Sequence, residues 1–158
     1  IKIFRERYNI FCCTGILFNH ESSLRSNEFV TKKIINISRK MKINNKLKLR
    51  LGNINVYRDW GWAPEYVEAF WLMLQQKKSN DLILGTGKIH SLKEFVTEVF
   101  KLLKINKKNL EHNVKKFKRK LDIRGYKADI SKTKKIINWK PKINFKKIIY
   151  KMVYDELF

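Results

Sequence analysis

The sequence predicts an α/β lobe in which short strands alternate with amphipathic helices. Apolar residues recur at helical spacing in several segments, and short apolar runs bounded by glycine or polar loops lie between them. Neither internal repeats nor Gly/Ser linkers interrupt that alternation. A chain of 158 residues hides roughly 68–70% of its unfolded surface on folding, so one domain or part of one is expected. With 44% hydrophobic and 13% aromatic residues, the composition is that of a packed protein, because disordered chains lack the apolar surface that offsets backbone entropy.

Ile1 to Tyr8 reads as the end of a helix with no start signal before it, which suggests a fragment. Ile10 to Phe18, rich in Phe, Ile and Leu, suits a buried strand of a parallel sheet, followed by a polar loop from Asn19 to Ser26. From Asn27 the spacing of Val30, Ile34, Ile37 and Met41 predicts an amphipathic helix ending near Asn44 and Asn45. Leu47, Leu49 and Leu51 alternate with Lys and Arg, as in a short strand with one wet face. Arg58 to Trp62 reads as a loop, after which Pro64 fits the first turn of a helix carrying Val67, Phe70, Trp71 and Leu74 on one face.

Leu82 to Leu84 predicts a strand closed by Gly85 and Gly87. Ser91 with Glu94 forms a capping-box pattern, in which the serine hydroxyl and the glutamate carboxylate each satisfy a backbone N–H. The helix it opens has Leu92, Phe95, Val99, Leu102 and Leu103 on its apolar side and ends near Ile105. Asn106 to Lys118 is lysine-rich with weak periodicity and reads as a loop or a loosely held surface helix. Asp129 and Ser131 can cap a short helix through Ile137, and Pro141 separates it from a last helix bearing Phe145, Ile148, Ile149, Met152 and Val153.

Composition narrows the function classes. The longest apolar run falls short of the about 20 residues a membrane-spanning helix needs, and no signal-peptide pattern precedes it, so a cytoplasmic protein without a membrane partner is expected. Cys12 and Cys13 are adjacent within an apolar run, where a disulfide framework or zinc site would need spaced ligands. They read as buried thiols. The net charge of +22 raises a nucleic-acid hypothesis, because phosphate neutralisation dominates such binding. Lysines are spread over turns, helix faces and ends alike, however, and solvated positions filled by compositional bias explain them better than a dedicated polyanion site.

Candidate chemistry lies in basic or amide side chains placed in loops beside apolar elements: Asn19, His20, Arg25, Lys33, Arg58 and Arg119. Arginine suits a diphosphate because its planar fork donates paired hydrogen bonds, and lysine adds a point charge. A lone His20 beside Glu21 lacks the companion ligands of a zinc site, and His90 and His112 show no useful spacing. Glu21, Asp59 and Asp122 are expected to serve as salt-bridge or capping groups. The tryptophans could stack on bases, but Trp71 on an apolar helix stripe and Trp139 after Ile136 and Ile137 argue for core packing. No G-x-G-x-x-G phosphate loop announces a redox cofactor.

Several strings, in order and at nearly constant spacing, resemble the GDP-mannose 4,6-dehydratases. They are GILFNHES at Gly15–Ser22, FVTKKI at Phe29–Ile34, LGN at Leu51–Asn53, RDWG at Arg58–Gly61 and YVEAFWLMLQQ at Tyr66–Gln76, then HSLKEFV at His90–Val96 and NWKPK at Asn138–Lys142. That family consists of extended short-chain dehydrogenases. The resemblance implies that this chain is the end of a Rossmann-type sheet plus a small α/β substrate-binding lobe, residues 1–158 forming the C-terminal, sugar-nucleotide-binding portion. It further implies an upstream Rossmann half holding NADP and a Tyr-x-x-x-Lys pair, absent from this chain, so that no catalytic residue is expected here. The family reaction oxidises C4 of GDP-mannose, eliminates water across C5 and C6 and returns the hydride to C6, on the way to GDP-fucose.

Carried over by position, the resemblance gives Asn19, Val30, Lys33, Arg58, Arg119 and Asp122 to the GDP-mannose site, and His20 and Arg25 to a loop that touches NADP and a subunit contact. A homo-oligomer is implied. The family loop reads Pro-Arg-Arg-Gly where this chain has Ser23, Leu24, Arg25 and Ser26, so one cofactor-contacting charge is missing. Trp62 stands for a histidine and Lys120 for a proline. The alternatives left open are an inactive relic and a basic polyanion- or nucleic-acid-binding module.

Overall fold

A computed structural model of the chain describes residues 1–117 and 123–155. In chain order the described elements are α1 (Lys2–Tyr8), β1 (Thr14–Leu17), β2 (Asn19–Glu21), α2 (Val30–Ile43), β3 (Leu49–Arg50), β4 (Tyr57–Arg58), β5 (Trp60–Trp62) and α3 (Ala63–Leu74). They continue with β6 (Asp81–Leu84), β7 (His90–Ser91), α4 (Leu92–Leu103), β8 (Leu110–Glu111), α5 (Ser131–Ile137) and α6 (Phe145–Val153), with single 3-10 turns at Lys107–Asn109 and Lys115–Phe117. The strands form pairs: β1 with β6, β2 with β5 and β3 with β8 run parallel, and β4 with β7 antiparallel.

Two apolar clusters hold these pieces together. In the first, α2, α4 and α6 pack on one another through Ile34, Ile35, Phe95, Val99, Ile148 and Met152, over Leu49 and Leu51 and the rings of Trp60 and Trp62. In the second, Tyr66, Ala69 and Met73 of α3 meet Leu82 and Leu84 of β6, Ile137 at the end of α5 and Trp139 just beyond it.

The ends of the packed helices are closed by specific side chains. On α4 the Ser91 hydroxyl accepts from the Glu94 N–H at 3.1 Å and the Glu94 carboxylate from the Ser91 N–H at 2.6 Å, so the capping box forms as its spacing predicts. Asn144 caps α6, its side-chain oxygen accepting from the Lys147 N–H at 3.0 Å. The other end of α6 is held by Arg39 of α2, whose guanidinium donates to the carbonyls of Met152 and Val153. A cation there meets both the orphan carbonyls and the negative end of the helix dipole. Glu65 of α3 fastens the connection between α5 and α6: its Oε1 accepts from the N–H groups of Lys142 at 2.6 Å and Ile143 at 3.1 Å, and its carbonyl from Trp139 Nε1 at 3.0 Å.

Several expectations need correction. The parallel strand near residue 15 exists, but it is short and Ile16 and Leu17 are exposed, because among the described residues β1 has a single neighbour, β6. The polar loop at 19–26 opens with β2, and the loop at 58–62 contains β5; strands of two or three residues leave no periodicity to read. The helix expected from Asn27 starts at Val30. Cys12 and Cys13 are half-buried rather than buried. The face of α3 expected in the core is the open one: Val67 is 66% and Trp71 61% exposed, while the adjacent stripe of Tyr66, Ala69 and Met73 is buried. Trp60, Trp62 and Trp139 do pack inside. The N-cap position of α5 is Ile130, which offers no side-chain cap, and neither Asp129 nor Ser131 caps the helix: Asp129 lies one residue before the cap and accepts from the Ser131 N–H at 3.0 Å.

Candidate functional site

Two clefts lie side by side where β2, β4 and the start of α2 meet. The larger, about 680 Å³, is lined by Asn19, Arg25, Val30, Lys33 and Arg58, with Glu21, Phe29, Asn53 and Phe117 among its walls. The smaller, about 440 Å³, is lined by His20 with Leu17, Phe18, Ile123 and Tyr126, and it shares Asn19, Arg25 and Arg58 with the first. Six of the eight candidate residues are thus brought together. The other two, Arg119 and Asp122, lie outside the described residues.

Each candidate is oriented by a local device. Pairing of β2 with β5 sets Asn19 opposite Trp60 and His20 opposite Gly61. A ring nitrogen of His20, Nδ1, sits 3.0 Å from the Phe18 carbonyl, so with the proton on Nδ1 the other nitrogen is left as an acceptor. Arg58 Nη1 donates to its neighbour's carbonyl, Tyr57 O, at 2.6 Å and to Ile123 O at 3.1 Å. The next residue, Asp59, is buried and acts as a pin: Oδ1 accepts from the Thr86 N–H at 2.8 Å, and Oδ2 from the N–H groups of Gly87 at 2.8 Å and Ala128 at 3.2 Å. Its expected capping role is therefore what it performs, on the turn beyond β6.

The α2 wall is built from the segment that precedes it. Arg25 lies over the Phe29 ring, 3.4 Å from its centre, and Lys33 reaches the Phe117 ring at 4.2 Å, distances at which a cation is attracted to the ring face. Phe117 in turn rests its carbonyl on Gly52, where a Cβ would collide with it, so the LGN string has a steric reason for its glycine. Glu21 is 2% exposed. Burial pushes its carboxyl up, while the Thr31 hydroxyl and the Arg25 charge pull the other way. Chemically, the clefts present three cations, Arg25, Lys33 and Arg58, and two amides, Asn19 and Asn53, between apolar and aromatic walls, an arrangement suited to a phosphate-bearing ligand with a flat ring. Phe29, Asn53 and Phe117 were not singled out from the sequence as site residues; Phe29 and Asn53 fall inside the quoted strings, whereas nothing local marks Phe117.

A third cavity, about 570 Å³, lies between α4 and residues 141–146 and holds none of the candidates. Among the described residues no group of His, Cys, Asp or Glu could hold a metal ion, and no helix is long and apolar enough to cross a membrane.

Residues 1–152 match the family model of GDP-mannose 4,6 dehydratase. The chain belongs to the GDP-mannose 4,6-dehydratase family. It is 43% identical to GDP-mannose 4,6 dehydratase 1 of Arabidopsis thaliana over 154 residues, which cover 98% of this chain and 43% of that protein. It is 38% identical to the Homo sapiens GDP-mannose 4,6 dehydratase over 172 residues, covering 98% and 46%. The chain thus spans less than half the length of these relatives, and it matches their C-terminal portion. In fold it is similar to a dTDP-glucose 4,6-dehydratase from Bacillus anthracis in complex with NAD, with a TM-score of 0.83 at 19% identity over 96% of this chain and 46% of that one. RMD from Pseudomonas aeruginosa complexed with NADPH also gives 0.83, at 15% identity over 97% and 50%.

Proposed function

We propose that this chain supplies the GDP-sugar-binding part of a GDP-mannose 4,6-dehydratase, a hydro-lyase that forms GDP-4-keto-6-deoxymannose in the cytoplasm. The observation that carries this reading is the convergence of Asn19, Arg25, Val30, Lys33 and Arg58 on one cleft of about 680 Å³. In this reading Asn19, Lys33, Arg58 and Arg119 hold the diphosphate, Val30 lines the site and Asp122 serves the nucleotide side. His20 and Arg25, on the adjoining cleft, are the residues that would touch NADP. Their donor set, with Arg58 and Asn19 beside them, fits cofactor phosphates. NADP bound there would supply reversible hydride-transfer chemistry, and the part of His20 and Arg25 would be to hold it. The exposed stripe of α3 and the open edge of β1 then receive the nucleotide-binding part of the relatives that this chain does not span, since contiguous exposed apolar faces mark interaction sites.

Calorimetric titration of the 158-residue chain with GDP-mannose, and separately with unrelated DNA, at low and moderate salt tests the reading. GDP-mannose is expected to bind selectively. Arg58→Ala and Lys33→Ala should each weaken it by roughly 10- to 100-fold, the size of a lost hydrogen bond to a charged group. Binding to DNA alone, falling steeply with salt, would instead favour the polyanion reading, and no ligand binding by a folded chain would leave ancestry without present function.

A further inference from the structure

Glu21, expected from the sequence as a salt-bridge or capping group, lines the larger cleft and pairs with Arg25, a residue that both clefts share. Its carboxylate is buried on β2 and its Oε2 takes two partners from different segments: the Thr31 hydroxyl, in the first turn of α2, at 2.8 Å, and Arg25 Nε, in the preceding loop, at 3.4 Å. Arg25 Nε makes no hydrogen bond of good geometry among the described residues, so the ion pair with Glu21 and the Phe29 ring beneath its guanidinium are what hold the side chain. The neighbouring cation Lys32 is already engaged, its Nζ donating to Ser23 O at 2.6 Å.

We propose that Glu21 is a positioning residue: it locks Arg25 between the two clefts and ties the start of α2 to β2, so that the cationic wall is preset before an anionic ligand arrives. This rests on the reading of the clefts as a nucleoside-diphosphate site. Glu21 approaches the guanidinium through Nε, 3.4 Å from Oε2, and Arg25 lines both clefts. An anion entering either cleft therefore meets an arginine whose rotamer is already restricted, and less side-chain entropy is lost on binding. Removing the carboxylate's charge frees the arginine.

The test reads the arginine directly. In a nitrogen-15-labelled chain, the Nε–H resonance of Arg25, assigned by its loss in Arg25→Lys, is expected to exchange with water more slowly than that of Arg50, which pairs with Glu111 on the surface. Glu21→Gln, whose amide oxygen can still accept from Thr31, should raise the Arg25 exchange rate and weaken GDP binding about tenfold, with the Arg50 signal unmoved. An Arg25 Nε–H that exchanges as fast as Arg50 in the unmodified chain overturns the proposal, and that measurement needs no variant to fold. Unchanged exchange in a folded Glu21→Gln chain overturns it as well. If GDP binds neither form while Arg25 exchange still depends on Glu21, the nucleotide reading fails and the positioning role stands.

Discussion

The helical layer formed by α2, α4 and α6 and the layer formed by α1, β1 and α3 are made from similar amounts of apolar sequence, yet they end differently. In the first, Ile34, Ile35, Phe95, Val99, Ile148, Ile149 and Met152 are all sealed, and the helix ends are closed by Ser91, Glu94, Asn144 and Arg39. In the second, α1 buries none of its residues, and Ile3, Phe4, Ile16, Val67 and Trp71 face solvent. One part of the molecule satisfies itself and the other presents an apolar face, which teaches that an apolar helical period does not by itself bury a face. The clefts sit on the boundary, with α2 from the sealed layer and β2 continuing from the open one.

Truncation in the sealed layer should have the largest effect. Phe95→Ala removes a fully buried ring and should lower unfolding free energy by about 3–5 kcal/mol, measured by urea denaturation. Ser91→Ala removes the cap of α4 and should cost about 1 kcal/mol in the same experiment.

In the open layer, the Arg5 guanidinium donating to Asp81 at 2.6 Å holds that carboxyl down to about 2. A depressed carboxyl contributes stability above its ordinary value of 3.8, and this contribution is lost as pH falls through about 2. Acid titration of the unmodified chain against Arg5→Met should thus show two curves that converge at the acid end and separate above it. The pair is partly exposed, so salt should shrink the gap. Smallest of all, Trp71→Ser should change stability by less than about 0.5 kcal/mol while lowering self-association in analytical ultracentrifugation. A large loss of stability from Trp71→Ser would erase the contrast between the layers.

The sealed layer was legible in the sequence because its signals are local. Ser91 and Glu94 stand three residues apart and form the cap they imply, and the stripes of α4 and α6 are the faces that pack. The stripe of α3 misled because helical spacing reveals that a face is apolar, not which neighbour covers it. Two adjacent stripes, Tyr66–Ala69–Met73 and Val67–Phe70–Leu74, have the same period, and the buried one was settled by β6 and Trp139 far along the chain. At the site, the arginines and lysine were visible as residue types, but their convergence came only through family resemblance. The contact of Phe117 with Lys33 and Gly52 joins distant segments and leaves no local trace.

The parallel pairing of β1 with β6 also dictates an order of events as the chain folds. Thr14 must find Asp81 and Leu17 must find Leu84, so this pair closes across the whole segment that carries β2 to α3, and long-range parallel contacts form slowly. During that interval Ile16 and Leu17 are unpaired strand residues on a chain of high positive charge, and mutual repulsion between copies is then the main protection against premature aggregation.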